Sequence, residues 1–121
     1  MSFGRPYILK IKTCIHDGWI AITKIREDTN RDYLYYLILS PLSQSYFRNA
    51  AAGSGVKNLN IDIIKLLSVP LPTFPEQQKI ADCLSSFDEV IELQTKKLEA
   101  LKAHKKGLMQ KLFPSSDEVQ V

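Results

Sequence analysis

Apolar residues recur at alternating steps of four and three along the second half of the chain: Ile80, Leu84, Phe87, Ile91, Gln94, Leu98, Leu101, Lys105, Leu108 and Leu112. Eight of these ten positions are apolar, and neither Pro nor Gly interrupts them before Gly107. Such a seam predicts one coiled-coil helix over 73–113, roughly 57 Å long at ~1.5 Å per residue. Thr73 and Glu76 carry the spacing of a capping box, with the Thr73 oxygen on the Glu76 amide and the carboxylate reaching back. A rod of that length exceeds the core of a 121-residue chain, so it requires a partner.

Upstream the periodicity is shorter. Residues 7–12 alternate imperfectly, the turn-prone His16-Asp17-Gly18 follows, and 19–22 form a second apolar run, which predicts two strands. Asn30 is suited to begin a helix over 32–39, and Ser40-Pro41 caps and opens a second over 42–52, with Leu42, Tyr46 and Phe47 toward the core. Asn60 caps a short helix over 61–66. Leu67-Ser68-Val69-Pro70-Leu71-Pro72 is then a stiff extended joint, because two prolines spaced by one residue exclude it from a central strand. The fold class expected is α+β: short strands and helices over 1–72, the long helix over 73–113, and a polar, disordered tail over 114–121.

Composition adds little until it is resolved along the chain. With 45% hydrophobic residues and no apolar run near ~18 residues, no membrane span is expected, and no secretion signal is visible, which predicts a cytoplasmic protein. Two isolated cysteines, Cys14 and Cys83, and two isolated histidines argue against a metal site, and no cofactor is expected. The net charge of +3 hides a polarity: residues 76–92 hold five acids and one Lys, whereas 93–113 hold six Lys and one Glu. That gradient suits the macrodipole of a single helix. It equally suits two rods laid antiparallel, acidic half on basic half.

Candidate chemistry is sparse. Lys10, Lys12 and His16 flank the first strand and its turn, and with Arg48 they would form a modest basic face for a phosphate backbone, or an ordinary solvated surface. The turn Gly53-Ser54-Gly55-Val56-Lys57-Asn58 can cap a helix C-terminus, or present amides, Ser54, Lys57 and Asn58 to a phosphate. Tyr33, Tyr35, Tyr36, Tyr46 and Phe47, at helical spacing, and Trp19 read as core. His16-Asp17 lacks a nucleophile in its vicinity, and no nuclease or transferase constellation is present. Gln94 and Lys105, set within the seam, fix register at a cost in stability, or face solvent where helices diverge.

The motifs together resemble the specificity subunit of type I restriction-modification systems. The likeness rests on Asp17-Gly18-Trp19, on Tyr33-Leu34-Tyr35-Tyr36-Leu37 with Leu39, and on Ala52-Gly53-Ser54-Gly55-Val56-Lys57-Asn58-Leu59. Above all it rests on Val69-Pro70-Leu71-Pro72 leading to Glu76-Gln77-Gln78-Lys79-Ile80-Ala81, and it ends with Lys105-Lys106-Gly107-Leu108-Met109-Gln110-Lys111-Leu112-Phe113. The resemblance implies a non-catalytic component that recognises half of a bipartite DNA target, with methylation and cleavage residing in separate subunits. It implies the back half of one target recognition domain, then a spacer helix that pairs antiparallel with a second one. Pro70, Pro72, Glu76 and Gln77 would dock the methyltransferase subunits, and Ile80, Leu84, Phe87, Ile91, Leu98, Leu101, Leu108 and Leu112 would face the partner helix. A second reading is an assembly module that pairs with specificity subunits without binding DNA itself.

Overall fold

The computed structural model describes residues 4–53 and 59–113. Four helices follow one another: α1 (Arg31–Leu39), α2 (Pro41–Gly53), α3 (Ile61–Lys65) and α4 (Phe74–Leu112). By packing, the chain divides after Cys83, so that residues 74–83 of α4 belong to the first compact unit and Leu84 opens the second.

Local chemistry sets the helix starts. Asn30 is extended at φ −74°, and its side-chain oxygen accepts from the N–H groups of Asp32 and Tyr33, both at 2.9 Å. A cap of this type stabilises a helix by about 1 kcal/mol. Ser40 ends α1 and begins α2: its hydroxyl donates to Leu37 O at 2.6 Å and accepts from Ser43 N–H at 3.3 Å. Pro41 then occupies the first turn of α2, where a missing N–H costs nothing. Asn60 caps α3 by accepting from Ile63 N–H at 2.9 Å. Glu76 closes the start of α4, accepting from the Thr73 N–H at 2.9 Å and from the Thr73 hydroxyl at 2.6 Å. Only half of the expected capping box forms, since the hydroxyl donates to the carboxylate instead of accepting from the Glu76 amide.

The first unit packs α1 on α2 and α2 on α3. Tyr33, Leu37 and Ala81 form one buried cluster, with Leu34, Tyr36 and Val69 against it. Phe47, Ala51 and Ser43 are buried on α2. Gly4, at φ +74°, lies against this second group, and a Cβ there would come within 3.1 Å of Phe47 and 3.2 Å of Leu59. Its carbonyl accepts from Gln44 Nε2 at 2.8 Å, which moors the N-terminal segment to α2.

The expected α+β class is corrected: among the described residues there is no strand. The runs at 7–12 and 19–22 are irregular and largely exposed, with Trp19 at 55%. The turn between them does form, Trp19 N–H donating to His16 O at 3.0 Å, and the runs meet at an edge-on Tyr7–Trp19 ring contact 5.6 Å apart. A pair of short runs with no third strand and no apolar layer beneath cannot sustain a ladder. Trp19 and Leu42, expected in the core, are exposed, and on α2 it is Ser43 and Phe47 that turn inward. Tyr35, Tyr36 and Tyr46 are half-buried.

Two testable consequences follow from the start of α4. Thr73, through its hydroxyl and then its backbone N–H, holds the Glu76 carboxyl below its ordinary value of 4.5. Folding therefore favours the charged form, and this contribution is complete above pH 4.5 and is lost as pH falls through the lower folded value. Urea titrations between pH 3 and 7 should show this acid-side loss reduced in Glu76→Gln, the remainder belonging to groups such as Asp28, which the Arg26 hydrogen bond also holds low. The second consequence concerns Gln77, whose carboxamide is fully buried and fully bonded. Gln77→Leu strands its partners and should destabilise the first unit by about 2–4 kcal/mol. Gln78→Leu, on a half-buried side chain, should cost about 1 kcal/mol or less. Urea unfolding followed by the near-ultraviolet dichroism of the tyrosines separates the two.

Candidate nucleic-acid and partner interface

The joint between helices α3 and α4 is built by side chains that reach across the sequence. Gln77 Oε1 accepts from the Asn30 N–H at 2.8 Å, while its Nε2 donates to Asp28 O at 3.0 Å and Pro72 O at 2.8 Å. Gln78 Oε1 accepts from Asn30 Nδ2 at 2.7 Å, and Gln78 Nε2 donates to Asp82 at 2.7 Å. Tyr33 completes the arrangement by donating its hydroxyl to Pro70 O at 2.9 Å. Prolines cannot donate, but their carbonyls accept, and here both are used to hold an extended segment against two helices. Of the four residues expected to dock a partner, Pro70 and Glu76 are exposed, Pro72 is half-buried, and Gln77 is buried within the clamp. Asn30, Tyr33 and Gln78 were not singled out for this role by sequence. Asn30 was legible only as a cap and Gln78 only as part of a motif, because their partners lie some 40 residues away or more.

The cations expected on DNA all lie at the surface. Lys10, Lys12 and Arg48 are exposed and make no hydrogen bond or ion pair with another described residue. His16 is exposed as well: its Nδ1 accepts from Gly18 N–H at 3.1 Å, which requires that nitrogen to be unprotonated. Asp17 Oδ1, 2.8 Å from the same nitrogen, is therefore an ion-pair partner only when the ring gains a proton. Arg26 is bound to Asp28 in a two-point pair and Arg31 lies 3.6 Å from Asp32, so neither is as available as the two lysines. No contact brings Arg48 together with Lys10, Lys12 or His16; the mooring of Gly4 on Gln44 and Phe47 is the link between their segments. Ser54, Lys57 and Asn58 lie outside the described residues.

The apolar seam is open. On the turn that carries the clamp, Gln77 and Ala81 are buried, whereas Ile80 is 41% exposed. At 3.6 residues per turn the seam is displaced from the clamped stripe by roughly a quarter turn, so the two use different faces of α4. In the second unit Leu84, Phe87, Ile91, Leu98, Leu101, Leu108 and Leu112 are 39–70% exposed. Isolated apolar residues at a surface are ordinary, but a continuous stripe of them marks an interaction site. Lys96 pairs with Glu92 one turn away. A shallow depression at the end of α4, lined by Lys102, Lys105, Lys106, Met109, Gln110 and Phe113, is too open to enclose a ligand.

Among the described residues no group of His, Cys, Asp and Glu could hold a metal ion, and no helix is long and apolar enough to cross a membrane. Cys14 and Cys83 are exposed free thiols. Comparison with known proteins agrees with the motifs. Residues 1–103 match the type I restriction modification DNA specificity domain. The chain is 37% identical over 99 residues to the type I restriction enzyme MjaVIII specificity subunit of Methanocaldococcus jannaschii, a match that covers 79% of this chain and 23% of the relative. It is 34% identical over 97 residues to the MjaIX specificity subunit of the same organism, covering 69% and 22%. The chain thus spans under a quarter of the length of these curated relatives, and no solved structure matches it. With the domain matched over most of its length, the chain belongs to the type I restriction modification DNA specificity family.

Proposed function

We propose that this chain is a non-catalytic, cytoplasmic DNA-specificity component of a type I restriction-modification complex. The observation that carries the reading is the match of residues 1–103 to the DNA specificity domain, which spans the clamped helices and most of α4. Residues 1–72 act as part of a target recognition domain for half of a bipartite site, 73–113 as the spacer and pairing helix, and 114–121 as a tail. Lys10, Lys12, His16 and Arg48 meet the phosphate backbone, aided by Ser54, Lys57 and Asn58 in the turn after α2. Such contacts position a protein on its duplex, while sequence is read by other groups.

Docking of the methyltransferase subunits uses the proline joint. Pro70 and Glu76 offer exposed surface there, Pro72 lies half-buried beside them, and Gln77 keeps the edge rigid from below. The seam takes a second specificity half. The chemistry of methylation and cleavage belongs to the other subunits.

A second reading, a pairing module without DNA binding, is favoured by one observation: the seam is continuous, whereas Arg48 stands apart from the cations of the N-terminal segment. Mobility shifts with random-sequence duplex DNA decide between the two. A DNA role predicts binding that weakens steeply with salt, and Lys10→Ala, Lys12→Ala and Arg48→Ala combined should lower the log–log salt slope by about 2–3. No shift at low salt would leave only the pairing role. For the seam, Leu98→Asp with Leu101→Asp should abolish self-association in sedimentation velocity, since carboxylates would be buried in an apolar interface.

A further inference from the structure

We propose that α4 pairs antiparallel with α4 of a second copy of this chain, in the register that sets Gln94 opposite Lys105. This deepens the pairing role assigned above to the seam and rests on it. Four observations specify the arrangement. The seam residues are solvent-exposed through the whole second unit. Two polar residues interrupt the seam, Gln94 and Lys105. They fall at alternate types of seam position, which antiparallel helices bring face to face. Charge is distributed unevenly, with Asp88, Glu89 and Glu92 early in the unit and Lys102, Lys105, Lys106 and Lys111 late.

In this register a two-fold axis sets Phe87 against Leu112, Ile91 against Leu108, Gln94 against Lys105 and Leu98 against Leu101, and repeats each layer once. Every apolar seam residue from Phe87 to Leu112 then meets an apolar one. The two polar residues meet each other, the Lys105 ammonium donating to the Gln94 carboxamide oxygen. A slide of one heptad in either direction breaks this match. One slide sets Gln94 on Leu98 and Lys105 on Phe87; the other sets Gln94 on Leu112 and Lys105 on Leu101. Each such layer buries a polar group without its partner. A parallel pair is worse, because Lys105 would face Lys105 and the three acids would face their own copies. The register confines the contact to the second unit, and Ile80 and Leu84 lie beyond the partner's last seam residue.

Cysteine cross-linking reads the register directly, in a Cys14→Ser, Cys83→Ser background. Chains carrying Leu98→Cys and Leu101→Cys should form a mixed disulfide when combined and oxidised, and neither should cross-link with itself, since sulfurs bridge only between Cα atoms within about 7 Å. Cross-linking of Ile91→Cys with Leu101→Cys would establish a slipped register, self-cross-linking of either single variant would establish parallel helices, and a monomer at every concentration would remove the second copy as partner. Each of these overturns the proposal. A polar swap gives an independent readout. Gln94→Lys should raise the dimer dissociation constant at least about ten-fold through lysine facing lysine. Adding Lys105→Gln should return it to within about three-fold of the parent, because the layer is restored with its members exchanged. Absence of rescue counts against the register. None of these measurements involves DNA, so their failure is distinct from failure of the DNA-binding role.

Discussion

A primary amide in a dry interior must find two acceptors and one donor, and the Gln77 carboxamide finds all three within the chain. It meets the loop before α1, the first amide of that helix's cap, and the proline joint before α4. None of these segments belongs to a helix, so their backbone groups have no ladder to satisfy them. The carboxamide supplies what regular structure would otherwise provide. Leucine has the size but no polar atoms, and glutamate has the oxygen but no donors. The Tyr33 core and the Asn30 cap are assembled around it, which makes the beginning of α4 part of the first unit's interior.

The helices were legible in the sequence because their signals are local. Asn30, Ser40, Asn60 and Glu76 each act within three residues of themselves, and the structure uses all four. The seam was legible for the same reason, since its spacing is a property of one helix. The strands were not. Apolar alternation at 7–12 states what a strand would present, but a strand exists only where another backbone accepts its hydrogen bonds, and no described segment does so. The clamp was invisible for a related reason: nothing about Gln77 or Asn30 alone announces a bond across 47 positions. Trp19 illustrates the limit of residue type, being large and apolar yet left outside where too little chain surrounds it.

Function follows from how α4 divides its surface. One stripe is spent on the clamp and another, a quarter turn away, is left for a partner. The exposed cations lie on segments that belong to neither stripe, on the N-terminal segment and on α2. Recognition, spacing and assembly can therefore draw on separate side chains within a short chain, and a change in one set need not disturb the others. This separation suits a component that contributes geometry to a complex and leaves the chemistry to its neighbours.

The continuity of α4 across Cys83 also shapes how the molecule should come apart. One helix is shared by two bodies whose cohesion has different origins. The first is held by contacts within a chain, so its melting temperature is independent of dilution. A lone helix over 84–112 has no tertiary support and draws its stability from association, so its melting shifts with protein concentration. Thermal unfolding of the whole chain is then not a single two-state event, and a midpoint taken from helical signal alone would mix a unimolecular transition with a bimolecular one.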